Sequence, residues 1–206
     1  MSLLNVLHHE ARFAVIEKPP GLLSCPGKTE TDSVERRVAE VFPDARGSLL
    51  VHRLDQATSG LMVVALDPGA HRTLSMAFAS RDVTKTYEAL LHGDVPAEAG
   101  EIRLASRVDL DDRPRQILDP IHGKLGVTRY EVRARGAGQT RMRFFPETGR
   151  THQLRVHAAY GLRTPIVGDL LYAGPPAPRL MLHAIRLSFP DPTSAMPREF
   201  TSPCPF

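Results

Sequence analysis

Residues 49–66 of this 206-residue chain read L-L-V-H-R-L-D-Q-A-T-S-G-L-M-V-V-A-L. The apolar runs at 49–51 and 61–66 have the composition of strands. The polar stretch between them predicts a loop, and site residues tend to lie on loops that a rigid scaffold holds. Asp55 lies in this loop, two residues after Arg53. The stretch therefore predicts two strands that present one carboxylate.

The rest of the chain is rich in strand patterns, with a few helix patterns between them. Further strands are predicted at residues 13–18, 83–93, 101–109, 127–135, 140–145, 180–189 and 199–202, and helices at 34–42, 69–81 and 152–160. Gly136, Ala137 and Gly138 predict a hairpin turn. This order favours an α+β fold with a mixed, largely antiparallel central sheet and flanking helices and loops. The length suits a single domain over residues 1–206.

The positive charge of the chain comes mainly from arginine. Only four of the 26 basic residues are lysines, and the formal net charge is +3. The planar arginine fork matches phosphate and stacks on bases, but a genome biased toward arginine codons explains the composition equally well. Arginines alternate along two predicted strands, which places positive charge on one sheet face, either for binding or simply solvated. They are Arg129, Arg133, Arg135, Arg141 and Arg143.

Several classes of protein are disfavoured by the sequence. Cys25 and Cys204 form neither a disulfide framework nor a zinc pattern, which favours the cytosol. There is no signal-peptide pattern and no apolar run of membrane-spanning length. Glycine-rich phosphate loops and the G-x-S-x-G elbow are missing from the sequence. His152 and His157 are five residues apart, the wrong spacing for a helical metal pair, so we expect no metal.

A basic segment, G-R-T-H-Q-L-R-V-H at residues 149–157, complements the acidic loop. Thr151 is predicted to cap the helix that follows. Arg150 or Arg155 is a candidate partner for Asp55, because a sheltered carboxylate needs a nearby cation to stay ionised. Such a carboxylate suits nucleophilic or base chemistry, or equally a structural ion pair. Tyr87 lies on a predicted strand, where its ring either packs partly into the core or stacks on a nucleobase.

Three segments resemble, in order, the motifs of the RluA family of pseudouridine synthases: H-R-L-D-Q-A-T-S-G, K-T-Y-E-A-L-L-H-G and G-R-T-H-Q-L-R-V-H. Flanking matches are E-K-P-P-G-L-L, G-D-L-L-Y-A-G and R-L-M-L-H-A-I-R-L, so the resemblance covers nearly the whole chain. One departure is Glu17, where relatives usually carry Asn before the Lys.

This resemblance implies isomerisation of an RNA uridine to pseudouridine, with no metal or redox cofactor. G-L-L-S-C-P-G and D-D-R-P-R-Q are similar to segments of short family members that act on 23S rRNA and on the tRNA anticodon stem-loop. The resemblance is to the catalytic domain alone, without the S4 RNA-binding domain of larger relatives. We expect a cytoplasmic monomer with RNA as its partner and no membrane contact.

The resemblance also implies roles for individual residues. Asp55 would be essential, Tyr87 would stack on the target uracil and help to remove its C5 proton, and Arg155 would hold Asp55 ionised. Arg53 would fill the space left by the flipped nucleotide, whose extrusion costs a few kcal/mol. The full set expected to bind substrate or RNA is Arg53, His52, Thr58, Lys85, Arg150, Thr151, His152, Gln153, Arg113 and Arg115.

Two readings from other classes stay open at this point. An RNA-binding module without chemistry explains the arginines, although it gives no reason for a carboxylate in a basic site. An Asp-dependent glycoside or nucleoside hydrolase usually needs a second carboxylate, and the Asp55 loop offers none nearby in sequence. Within the family, the alternative is a single rRNA or tRNA target.

Overall fold

The computed structural model describes residues 4–206. The chain divides into two compact units, of which the first comprises residues 4–85 and 184–205 and the second residues 86–183 with Phe206. Most of the strands lie wholly within one of these units.

The elements confirm the α+β class and the largely antiparallel sheet. In chain order they are β1 Asn5–His9, β2 Phe13–Lys18, α1 Val34–Val41, β3 Ser59–Ala65, α2 Pro68–Ser80, β4 Thr84–His92, β5 Ala99–Val108, β6 Gln116–Leu118, β7 Lys124–Gly136, β8 Gln139–Pro146, α3 Gln153–Val156, a π-helical turn His157–Gly161, a 3₁₀ turn Leu170–Tyr172, β9 Leu182–Pro190 and β10 Pro197–Thr201. None of the helices among residues 4–206 combines the length and apolarity needed to cross a membrane.

The first unit pairs its strands in the order β1-β2-β3-β9, with β10 on β9. Strand β3 is buried along its whole length, because α2 packs on it and β2 and β9 flank it. The core includes Phe13, Leu61, Val63 and Leu74. Helix α2 begins where the Asp67 side chain accepts a hydrogen bond from the Ala70 amide. This core fixes the strand that follows the Asp55 loop.

The second unit pairs its strands in the order β4-β8-β7-β5-β6, and every one of these pairs is antiparallel. The predicted hairpin turn is confirmed, since Gly136 pairs with Gln139 across β7 and β8. Ala137 and Gly138, the two residues between them, both have positive φ, as the turns that match strand twist require.

The arginines on the second unit's exposed sheet face are paired with carboxylates. Four ion pairs join Arg103 to Glu101, Arg129 to Glu147, Arg133 to Glu131 and Arg135 to Glu98. Of the five predicted arginines, three thus meet one carboxylate each, while Arg141 and Arg143 share Glu88 of β4, so most of this positive charge is neutralised. This pairing indicates that the alternating arginines form a solvated surface and favours that interpretation over a positively charged binding face.

The structure differs from the local predictions at several points. Residues 49–51 form a single bridge, Leu50 to Val64, in place of a strand. Strand β1 lies before the first predicted strand. The predicted helix at 152–160 divides into the short α3 and a π-helical turn. Thr151 does not cap it, because the N-cap is His152 in a left-handed conformation with φ 53°.

Gly60, the last residue of the H-R-L-D-Q-A-T-S-G motif, allows two strands to approach closely. Its φ is +113°, and a Cβ atom there would lie 2.4 Å from the backbone oxygen of Ala184. Since that oxygen belongs to the backbone of β9, no side-chain rotation relieves the clash.

We expect Gly60→Ala to lower the free energy of unfolding by about 3 kcal/mol or more. Gly136→Ala is the matched control, because it has ordinary φ and a Cβ there meets nothing within 4 Å; its effect should stay within about 0.5 kcal/mol. Urea denaturation of both variants measures the difference. Equal stabilities would contradict the close approach.

Candidate active site

The loop that carries Asp55 is short and well supported. Asp55 is half-buried, and its carbonyl oxygen accepts a hydrogen bond from the Thr58 amide at 3.1 Å. The loop then runs directly into the fully buried β3. The position of the carboxylate is therefore coupled to the core of the first unit.

Lys18 holds this loop from β2. Its side chain is fully buried, and its ammonium donates hydrogen bonds to the carbonyl oxygens of Pro19, Leu22 and Gln56 at 2.9, 2.7 and 2.9 Å. These three acceptors match the three N–H donors of an ammonium. Because Gln56 follows Asp55 directly, the buried cation fixes the backbone next to the carboxylate.

The turn after Lys18 holds the loop at two further points. The Gly21 amide donates to the Gln56 carbonyl at 2.8 Å. The buried Ser24 hydroxyl donates to the Leu54 carbonyl at 2.7 Å and accepts from the Leu54 amide at 3.1 Å. The backbone is thus anchored on both sides of Asp55, which leaves its side chain as the group that the loop presents.

His52 is held inside the first unit. Its Nε2 atom accepts a hydrogen bond from the Val63 amide at 3.1 Å, and its ring stacks on Phe78 at 4.6 Å. Desolvation, with a smaller contribution from the Lys85 charge, lowers the pKa of His52 to about 3. Desolvation also lowers the pKa of Lys85, whose Nζ lies 5.9 Å from the centre of the Phe78 ring. His52 is therefore neutral at pH 7.

Two other residues of the motif differ in their surroundings. Arg53 is exposed and has no ion-pair partner among residues 4–206. Thr58 is buried, and its hydroxyl has no hydrogen-bond partner within the described part of the chain. An unsatisfied buried hydroxyl costs about 1–3 kcal/mol, and the Thr58 hydroxyl is itself inaccessible to solvent.

In the second unit, Tyr87 lies on β4 opposite Phe144 of β8 and is 9% exposed. The structure thus places the tyrosine of K-T-Y on a regular strand, as predicted. Its ring is mostly covered, and a small part reaches the surface.

Gln153, in the basic segment, serves as an internal connector. Its Oε1 atom accepts from the Thr148 hydroxyl and the Arg150 amide, and its Nε2 atom donates to the Val127 carbonyl and the Thr128 hydroxyl. These four bonds fill the capacity of a glutamine amide. Gln153 therefore ties the start of α3 to β7.

Arg155 belongs to a buried polar network. Its Nε and Nη2 atoms donate to the two carboxylate oxygens of Asp169 at 2.8 and 2.7 Å, and its guanidinium lies 5.1 Å from the Tyr172 ring centre. The Tyr172 hydroxyl is hydrogen-bonded to His152 Nδ1 at 2.8 Å and accepts from the Gln116 amide at 2.9 Å. The network brings two predicted site residues, His152 and Arg155, to one tyrosine.

The remaining predicted binding residues are nearer the surface. Arg113, Arg150 and Thr151 are exposed, and the Arg150 Nε atom donates to the Leu125 carbonyl at 3.1 Å. Arg115 is half-buried, with its Nη2 atom 3.3 Å from the Tyr160 hydroxyl. No cluster of three His, Cys, Asp or Glu residues suited to a metal occurs between residues 4 and 206.

Sequence reasoning missed Lys18, Ser24, Asp169 and Tyr172 as site residues. All four lie in segments that resemble the family outside its three main motifs. The sequence therefore contained a signal for these residues, but no role was assigned to them. Their importance comes from which backbone groups they reach, and spacing along the chain does not contain that information.

The neutral state of His52 predicts how stability depends on pH. Its pKa is about 3 in the folded chain and near 6.5 in an unfolded one, so between these values protons favour the unfolded state. The free energy of unfolding should fall between pH 7 and pH 5, and His52→Gln should remove about 2 kcal/mol of that fall. Chemical denaturation at both pH values tests this. A fall of the same size in both proteins would argue against a neutral His52.

Similarity to known proteins shows the family of this chain. Residues 12–160 match the family described as RNA pseudouridylate synthase. The chain is 40% identical to the dual-specificity RNA pseudouridine synthase RluA of Haemophilus influenzae and to that of Escherichia coli K12, covering 98% of this chain and 94% of each relative. The solved structure of human RNA pseudouridylate synthase domain containing 1 superposes with a TM-score of 0.82 at 30% identity, covering 98% of this chain and 84% of that one. The chain belongs to the RNA pseudouridylate synthase family, whose members are isomerases that convert uridine in RNA to pseudouridine.

Proposed function

We propose that this protein isomerises specific uridines in 23S rRNA and in the tRNA anticodon stem-loop. The observation that carries the proposal is the anchored Asp55 loop, with hydrogen bonds to Leu54 and Gln56 on both sides of the carboxylate. The dual substrate range is supported by the relatives named as dual-specificity enzymes, which match over nearly their whole length.

In the proposed reaction the bond from C1′ to N1 of uridine breaks, the uracil rotates, and a bond from C1′ to C5 forms. The C5 proton leaves and N1 gains a proton, so the product is an isomer and no external reactant is consumed. Asp55 is the essential carboxylate of this step. We assign no metal or redox cofactor to the enzyme, as the family resemblance implies.

Tyr87 and Arg155 complete the proposed catalytic set. Tyr87 stacks on the target uracil and assists removal of the C5 proton, and Arg155 holds the essential carboxylate ionised. A side chain that is mostly covered, as that of Tyr87 is, is held in one orientation and loses little entropy on stacking. These assignments rest on the family motifs and are tested by substitution.

RNA binding is assigned to the remaining predicted residues of the three motifs and of the D-D-R-P-R-Q segment. Arg53 fills the stack after the target nucleotide has been extruded, and Arg113 and Arg150 contact phosphates. Arg53 and Arg113 are exposed without a carboxylate partner among residues 4–206, so phosphate binding breaks no existing ion pair. The remaining predicted residues shape the surroundings of the site: Thr58, Lys85, His52, Arg115, Thr151, His152 and Gln153.

We also propose that the two units work as one catalytic domain, in the cytoplasm and as a monomer. Light scattering of the purified protein, alone and with an anticodon stem-loop, tests the oligomeric state. A mass of two chains would contradict the monomer.

The activity is tested with unmodified tRNA and 23S rRNA transcripts and pseudouridine mapping at single-nucleotide resolution. We expect new pseudouridine in both RNAs with the wild type and none with Asp55→Asn, because the amide cannot act as an anion. The variant should still bind RNA, since only one carboxylate has changed. Signal in one RNA alone would restrict the substrate range.

Two further outcomes separate the rival functions. Free uracil as the product would indicate a hydrolase. RNA binding without any modified nucleoside would indicate a binding module. Normal turnover by Asp55→Asn would remove Asp55 from the mechanism.

The arginines provide a matched test of binding. Arg113→Ala should weaken binding and lower the slope of log affinity against log salt by about 0.7 to 0.9, the value for one lost phosphate contact. Arg129→Ala should leave the slope unchanged, because Arg129 is paired with Glu147 at 3.2 Å. Both are measured by fluorescence anisotropy in the Asp55→Asn background. Equal slopes for the two variants would contradict this division of roles.

A further inference from the structure

Asp169 makes an ion pair that the proposed mechanism does not use. Its side chain is completely buried, and that of Arg155 is 9% exposed. The pair is bidentate, with two parallel N–H donors of the guanidinium on the two carboxylate oxygens. Such a fork fixes the plane of the guanidinium as well as its distance.

The turn around Asp169 is itself fixed by its backbone. The Asp169 amide donates to the Ile166 carbonyl, and its carbonyl accepts from the amides of Tyr172 and Gly174. A Cβ atom at Gly168 or Gly174 would lie within 2.0–2.1 Å of a neighbouring carbonyl oxygen. Because this turn has no room for side chains at either glycine, the carboxylate is held by a rigid backbone.

Tyr172 adds a second constraint on the same guanidinium. Its ring lies over the Arg155 guanidinium, and its hydroxyl, which is hydrogen-bonded to His152 and accepts from the Gln116 amide, holds the far end of the ring. The Asp169 carboxylate thus fixes the plane of the Arg155 guanidinium, and the Tyr172 ring covers one face of that plane. Two of the five guanidinium donors are used by Asp169, and the Nη1–Nη2 edge is presented in a single orientation.

We propose that Asp169 is a positioning residue of the isomerisation, which acts through Arg155 by fixing the orientation of its guanidinium. This inference rests on the proposed function, which assigns Arg155 to the essential carboxylate. Since the ion pair is buried and neutral overall, it adds little to the attraction of phosphates. Its effect is therefore expected on turnover and not on RNA affinity.

The test compares Asp169→Asn and Asp169→Glu with Asp191→Asn. Asp191 is a matched control because it is also a buried carboxylate that accepts backbone N–H bonds, in the first unit and outside the proposed site. Asp169→Asn turns an N–H group toward the guanidinium, and Asp169→Glu keeps the charge but displaces it by one methylene. We expect kcat to fall about a hundredfold in Asp169→Asn and KM for RNA to stay within about twofold. Asp169→Glu, which serves where the Asn variant fails to fold, should also lose turnover.

A spectroscopic readout tests the positioning directly. In the wild type, the Arg155 Nε–H resonance, identified by its loss in Arg155→Lys, should exchange slowly with water. Asp169→Asn should abolish that protection, and Asp191→Asn should leave it intact. If the wild type is active, two results would overturn this inference without affecting the proposed function. One is an Arg155 resonance that is unchanged in Asp169→Asn, and the other is identical kinetics in Asp169→Asn and Asp191→Asn. A wild type without any isomerase activity would overturn the proposed function, and the catalytic role of Asp169 would fall with it.

Discussion

The buried ammonium of Lys18 is the interaction on which the Asp55 loop depends. A charge without water must be surrounded by polar partners, because an unpaired buried ion is far too costly to persist. The acceptors here are three backbone carbonyls from two separate stretches of chain. They converge only when the turn after β2 and the loop before β3 are folded together. The buried ammonium therefore couples the loop to the strand that precedes the turn.

In the second unit, the basic segment at residues 149–157 is also held by a buried cation, but with a different geometry. Lysine is a compact point charge, so Lys18 gathers carbonyls from several directions. Arginine is a planar fork, so Arg155 with Asp169 defines a plane, and Tyr172 defines the side from which that plane is covered. The first kind of restraint fixes a loop backbone, and the second fixes the plane of a single side chain. The two residue types are not interchangeable at these positions.

Local sequence patterns predicted most elements of the fold, because strand alternation and helix caps are local physics. Helix α1 begins where it was predicted, with Ser33 as its cap, and the β7–β8 turn falls where the glycines indicate. The failures have tertiary causes. Thr151 looks like a cap, yet Gln153 and His152 are engaged by β7 and Tyr172, which set the backbone there instead. For the candidate site, the motifs predicted Asp55 and Arg155, whereas Lys18 and Asp169 are recognised only from the backbone groups and side chains that they reach.

Ion pairing of the arginines also depends on tertiary structure that local sequence patterns do not contain. An alternation of period two tells which face of a strand a residue occupies, but it does not tell which carboxylate that residue binds: Arg103 and Arg133 bind glutamates on their own strands, and Arg129 does not. Arg129 stands opposite Glu101 in register and binds Glu147, which follows β8. Neither partner follows from the spacing of the arginines, since both depend on which strands are neighbours. A count of 22 arginines therefore does not measure the charge available to RNA. What matters is the subset left without a carboxylate, and among residues 4–206 that subset includes Arg53 in the Asp55 loop.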